Sequence, residues 1–192
     1  MDIRYAIRVL WPRTPVLIAA AILAAAVAFI GSGFLPPTYE SRARLLVGQA
    51  SGIPPSAYEE LLAAQILSTT YAELGSATPV LEAALAASGV DIPLRIFAES
   101  VRVEPVRNSP LVEVICEFRT AAEATSMCNA MAEEIAGLGS GESGELTLVI
   151  IDPAEPGPSP VAPRPLVNGV AAGVGALVLV GSLILLLDRP PD

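Results

Sequence analysis

Proton transfer, nucleophilic attack and metal binding lean on a few side chains, and this sequence lacks two of the commonest. It contains no histidine, and all eleven of its basic residues are arginine. Without lysine there is no phosphate-binding loop of the Walker type. Without histidine or lysine, a serine nucleophile has no usual base. Cys116 and Cys128 are the only cysteines, with eleven residues between them, and fit no zinc spacing. Carboxylate chemistry remains, since two acids suffice to cleave a glycoside. Adjacent pairs such as Glu59-Glu60 and Glu133-Glu134 read as solvated helix faces instead. Sugar-cleaving sites also tend to carry aromatic platforms. The aromatics between the two apolar runs described below are only Tyr39, Tyr58, Tyr71, Phe97 and Phe118, and three of these fit strand or helix cores. The chain therefore reads as a non-enzyme, with no catalytic residue, cofactor or metal site expected.

The elements around these residues point to a membrane. Hydrophobic residues make up 53% of the chain. From Leu166 to Leu187 no charge interrupts LVNGVAAGVGALVLVGSLILLL, and at 1.5 Å per residue this run spans roughly 33 Å, enough to cross a bilayer core. A second uncharged run, Val16 to Leu35, predicts another transmembrane helix near the N-terminus. Arg4, Arg8 and Arg13 precede it, so the positive-inside rule keeps residues 1–15 in the cytoplasm. The competing reading is a cleaved signal peptide with Ala26-Val27-Ala28 as its site, although the apolar run continues past that point. Two uncleaved spans make residues 36–151 an extracytoplasmic domain, 152–165 a proline-rich segment and 188–192 a cytoplasmic stub. From Pro36 to Pro165, seven arginines face seventeen acids, a net −10 that disfavours nucleic acid as a partner.

Within that domain, Tyr39 to Val47 alternates Ala43, Leu45 and Val47 against Arg42 and Arg44, a half-buried strand. A loop over Gly48 to Pro55 leads to the capping box Ser56-Ala57-Tyr58-Glu59 and a helix ending at Gly75. Thr78-Pro79 reads as N-cap and first residue of a second helix, ending near Ser88-Gly89. Asp91-Ile92-Pro93 starts a short third helix through Ala98. Val101, Val103 and Val106 mark one strand. Val112, Val114, Cys116 and Phe118 mark the next, with a tight connection over Arg107 to Pro110. A second capping box, Thr120-Ala121-Ala122-Glu123, opens a helix with Ala124, Cys128, Met131, Ile135 and Leu138 on one stripe. Gly137 to Gly144 reads as a turn, and Glu145 to Ile151 as the last strand. The fold class expected is α+β: a roughly four-stranded sheet with helices, flanked by two transmembrane helices. Cys116 and Cys128 both face one strand–helix seam, where they form either a disulfide, which an extracytoplasmic location would preserve, or two buried thiols.

In the spans, Gly169-x-x-x-Gly173 and Ala172-x-x-x-Ala176 form small-residue ridges, matched by Ala20, Ala24 and Ala28 in the first run. Such ridges permit close helix approach in lipid, within or between subunits, although small residues are also common in this chain. Pro153, Pro156, Pro158, Pro160, Pro163 and Pro165 predict a stiff, extended segment.

Three pieces together resemble the polysaccharide co-polymerases, the Wzz-type chain-length determinant family in its short form without a fused kinase domain. They are Tyr39-Glu40-Ser41-Arg42-Ala43-Arg44-Leu45-Leu46-Val47 after the first span, Asn108-Ser109-Pro110-Leu111-Val112-Glu113-Val114 followed by Glu123-Ala124 and Asn129, and Asp152-Pro153-Ala154 before the prolines and a Gly-rich span. The resemblance implies a non-catalytic homo-oligomer, a ring or bell outside the membrane. It would control chain length or export of a cell-surface polysaccharide (exopolysaccharide, capsule or O-antigen type) made by a separate polymerase. The alternative it leaves is a membrane adaptor that activates or localises a separate cytoplasmic tyrosine kinase. This sequence departs from larger members in its short domain and five-residue tail. An envelope hydrolase acting through carboxylates is a third class.

Overall fold

The structure is a computed structural model that describes residues 8–49, 57–139 and 146–188. By internal packing the chain divides into two units. One is Met1–Pro36 with Pro163–Asp192, and the other is Pro37–Ala162.

The first unit is a helical hairpin. A 3-10 turn over Trp11–Arg13 runs into helix α1, Thr14–Ser32, whose entry is favoured by Pro15 in its first turn. α1 stops three residues short of the expected Leu35, because the chain leaves the helix at Gly33 and Pro36-Pro37 follow. Its partner is α6, Pro165–Leu187, with Pro165 at the first helical position. Both helices are long and apolar enough to cross a membrane and pack side by side. Their outward side chains, including Ile22, Leu23, Val27, Val178 and Leu179, are exposed, as lipid-facing positions would be.

The second unit is a four-stranded antiparallel sheet with helices on one face. Its strands are β1 (Tyr39–Gln49), β2 (Val101–Pro105), β3 (Leu111–Phe118) and β4 (Leu146–Asp152), in the order β2-β3-β1-β4. Helices α2 (Ala57–Gly75), α3 (Thr78–Ser88), α4 (Leu94–Ser100) and α5 (Ala121–Leu138) complete it. α5 lies across β1, β3 and β4, and α2 lies against β2. This is the α+β domain expected, with all four strands antiparallel.

Local chemistry accounts for most element ends. The Thr120 hydroxyl accepts from the Glu123 N–H at 3.2 Å and donates to the Glu123 carboxylate at 2.6 Å, so the α5 capping box forms. Gly89 ends α3 with φ +68°, a left-handed cap that glycine adopts without steric cost. α3 is entered one residue earlier than expected: Ala77 is its N-cap, and Thr78 is helical. The hairpin between β2 and β3 turns at Asn108 (φ 56°), with Val106 N–H donating to Leu111 at 2.9 Å. Val106 itself lies beyond β2. The first capping box, at Ser56, and the turn through Gly144 fall largely outside the described residues.

The core forms between the sheet and α5. Ala43, Leu45, Val112, Val114 and Cys116 from the sheet meet Met127, Cys128, Met131 and Ile135 from α5, all completely buried, with Phe97 from α4. A buried side chain of the size of leucine or methionine contributes about 1.5–3 kcal/mol, so α5 supplies most of the driving force for docking. Ala124 lies on the buried stripe as expected, but Leu138 is 39% exposed, because the helix ends there.

Candidate functional site

The described residues hold no reactive centre in an enclosed cleft; the structured features are a seam, a strut, a thiol pair and a charged sheet face.

The seam joins α1 to α6. Gly169 and Gly173 are buried, with Ala172 and Ala176 half-buried beside them. A Cβ at Gly169 would lie 3.2 Å from the Ala25 carbonyl oxygen, and one at Gly173 would lie 3.3 Å from that of Ala21. Glycine at these positions thus accommodates the close approach of the two backbones, which is how small residues bring helices together where lipid offers no hydrophobic drive. The facing ridge includes the expected Ala20, Ala24 and Ala28, all half-buried, but the carbonyls touched belong to Ala21 and Ala25. At one end of the hairpin the Asn168 amide donates to the Ser32 hydroxyl at 2.9 Å. At the other, Arg13 and Asp188 pair at 3.1 Å. Both groups of that pair are about 40% exposed, so its contribution is at most about 1 kcal/mol.

The strut is the proline-rich segment, which is pinned to the domain from Ala154 to Ala162. Asn129 on α5 clamps Ala154 from both sides, its oxygen accepting from the Ala154 N–H at 2.8 Å and its amide donating to the Ala154 carbonyl at 3.1 Å. The Ser41 hydroxyl donates to the Glu155 carbonyl at 3.2 Å. Gly157 runs so close to β1 that a Cβ there would lie 2.8 Å from the Glu40 carbonyl oxygen. Thr38 then exchanges backbone bonds with Val161 and Ala162, both at 2.8 Å.

The prolines themselves do not make these attachments. Pro153, Pro156, Pro158 and Pro160 are exposed, Pro163 is half-buried, and Pro165 belongs to α6. Nor is the segment straight throughout, as its composition predicts: the chain bends at Pro158-Ser159, which carries Val161 and Ala162 to Thr38. Proline lacks an N–H and cannot extend a ladder, so Pro156, Pro158 and Pro160 set the backbone course while side-chain clamps supply what a strand would have supplied. Asn129 is the residue that reading by pattern left without a role. A polar side chain flanking the buried stripe of an amphipathic helix, next to Cys128, was its available signal.

The thiol pair sits where the seam between β3 and α5 was expected. Both cysteines are completely buried, and in the structure they are free thiols, not a bridge. The Cys128 thiol donates to the carbonyls of Val114 (3.2 Å) and Ser41 (3.4 Å). Hydrogen bonding with Cys128, reinforced by burial, pushes the Cys116 thiol far above its ordinary range. Held protonated and buried, Cys116 is not a nucleophile in this state.

The sheet face away from the helices carries alternating charge. Arg42 pairs with Glu40 (2.6 Å) and Glu113 (3.6 Å), Arg44 with Glu113 (3.0 Å), and Arg102 with Glu117. The hydrogen bond to Glu40 and the charges of Glu40, Glu113 and Glu117 hold the Arg42 guanidinium above its ordinary range. These carboxylates are tied to guanidinium groups, not arranged as an acid–base pair around a cleft. Toward β4 the same face becomes apolar and exposed at Leu46, Val149 and Ile151.

Comparison with known proteins follows this division of parts. The model of the chain length determinant protein family, Wzz, matches residues 1–87, which hold the first span, β1 and the first two helices of the domain. A capsular polysaccharide biosynthesis protein, CpsC of Streptococcus pneumoniae, is 27% identical, and the alignment covers 100% of this chain and 88% of that protein. The resemblance drawn from Tyr39–Val47 therefore lies inside the matched region. The second and third pieces are covered by the full-length relative.

Proposed function

We propose that this protein is a two-pass membrane subunit that governs the length or export of a cell-surface polysaccharide of the capsular type without catalysing its polymerisation. The observation that carries this reading is the alignment of a capsular polysaccharide biosynthesis protein over the whole chain, both apolar helices and the domain between them included. The chain-length determinant match over residues 1–87 supports the same class. A non-catalytic role is consistent with the chemistry of the domain, where Glu40, Glu113 and Glu117 are held in ion pairs and both thiols are buried. Both termini are assigned to the cytoplasm by the arginines before the first span, and the domain to the outside. The subunit acts as a homo-oligomer beside a polymerase or export machinery, with lipid around its helices.

Deletion and complementation test this. Removing the gene shifts the size distribution of the surface polymer, or its export, and restoring the gene returns it. An unchanged polymer profile, with altered tyrosine phosphorylation in the cytoplasm, would instead favour the kinase-adaptor role.

A further inference from the structure

We propose that the two edges of the sheet, open among the described residues, are the two halves of one interface: β2 of one copy pairs antiparallel with β4 of the next, so that the sheet continues from subunit to subunit. The inference rests on the reading of this protein as a membrane oligomer and names the surface that would build it.

Three observations converge. The first is strand sense. β1 is antiparallel to β3 and β4, and β3 is antiparallel to β2, so the two edge strands run in opposite directions. Copies anchored at both ends in one membrane share one up-and-down sense, and rotation about the membrane normal preserves it. Edge β2 therefore meets edge β4 of a neighbour in antiparallel fashion, a head-to-tail contact that can close a ring.

The second is backbone polarity. The bond from Val106 N–H to Leu111 and that from Val47 N–H to Pro110 fix which residues face inward along each ladder. By alternation, Val101 and Val103 direct their N–H and C=O groups to the open edge of β2, and Leu148 and Ile150 direct theirs to the open edge of β4. The side chains of all four face the helical layer, since Val101 and Leu148 are buried and Val103 and Ile150 pack on the core. Opposed residues in a ladder share a face. Pairing these edges thus keeps the helices of both copies on one side of the continuous sheet. Pro105, whose missing N–H would point outward, limits the pairing to a short stretch.

The third is space and charge. A groove of about 320 Å³ runs along β2, lined by Ser76, Leu81 and Ala98 opposite the strand. It lies where the inward side chains of an incoming β4 would descend. With Val103 opposite Ile150 of the neighbouring copy, Arg102 stands opposite Ile151 and one residue from Asp152. That acid lies across from Arg44, on the same helix-free face.

The test is cross-linking of the full chain in native membranes. Arg102→Cys combined with Ile151→Cys, or with Val149→Cys for a two-residue shift, is oxidised with copper phenanthroline. A ladder of linked multimers beyond the dimer, from one pair and from no single variant, is expected. The altered positions lie on the exposed face, and the native thiols are buried. No ladder from either pair, or dimers from Arg102→Cys alone, overturns the interface. A ladder in cells whose polymer profile is indifferent to gene deletion would keep the interface and sink the polysaccharide reading. An absent ladder with a polymer defect does the reverse. As a second variant, Val103→Pro removes an edge-facing N–H along with part of the core packing. It is expected to abolish the ladder from the cysteine pair while the protein still inserts and unfolds cooperatively, and a ladder that survives in such folded protein would overturn the interface.

Discussion

Two residue positions carry sharp expectations. Cys116 keeps its proton in the folded state because its thiol hydrogen-bonds to the Cys128 sulfur and burial opposes a thiolate, whereas in the unfolded chain a thiol titrates at about 8.5. The unfolded state therefore gives up a proton that the folded state retains. Stability is fully present below about pH 8.5 and falls as pH rises above it, by at most about 1.4 kcal/mol per pH unit for this group. Denaturant midpoints from pH 7 to 10 should show that decline, with a shallower slope in Cys116→Ala. A flat profile in the parent would mean that the thiol is not held as described, and a thiol assay on unfolded, unreduced protein should count two thiols per chain. The second expectation concerns Gly173, where any side chain meets the Ala21 carbonyl. Gly173→Leu should destabilise the helical hairpin by about 1–3 kcal/mol. Gly175→Leu, on the same helix with nothing within 4 Å, should leave it unchanged. Unfolding in detergent micelles compares the two.

At the scale of elements, the proline-rich segment is where reading by pattern fell shortest. Both long apolar helices, the alternation in β1, the α5 capping box and the seam holding both cysteines were legible because each depends on residues near in sequence or on a simple period. Local stiffness at Pro156, Pro158 and Pro160 was legible too, since proline fixes its own φ. The attachment of the segment was not: the contacts from Asn129 to Ala154 and from Ser41 to Glu155 join residues 25 and 114 positions apart. The bulge that shifts β1 against β4 between Arg44 and Leu45 belongs to the same class, because register is set across strands. Asn129→Leu should therefore cost the domain roughly 1–3 kcal/mol, by leaving both backbone groups of the buried Ala154 unpaired. Hydrogen exchange at residues 154–162 should accelerate in that variant more than exchange in the sheet centre. Equal protection in parent and variant would show the clamp to be idle. Replacing the prolines with a Gly/Ser stretch of equal length is expected to broaden polymer length, read by electrophoresis of the surface polysaccharide.

For the whole molecule, the division at Pro37 and Ala162 makes a prediction about what folds alone. By pattern the domain ends at Ile151 and the proline segment is separate, whereas by packing Pro153 to Ala162 belongs with the sheet. That segment lies beside the first residues of β1, beyond the point where β4 ends opposite Arg44. It covers backbone that water or another chain would otherwise reach, and unpaired strand edges invite association. A fragment of residues 37–162, free of both apolar helices, should unfold cooperatively with a single transition. A fragment of 37–152 keeps all four strands but loses the Asn129 clamp, the Ser41 bond and the Thr38–Ala162 bridge. It should be less stable by several kcal/mol and more prone to aggregate. Equal denaturation midpoints for the two fragments would return the segment to a spacer. A difference would make it a structural part of the domain, so that the chain reaches its second membrane helix from a fixed point and not from a loose end.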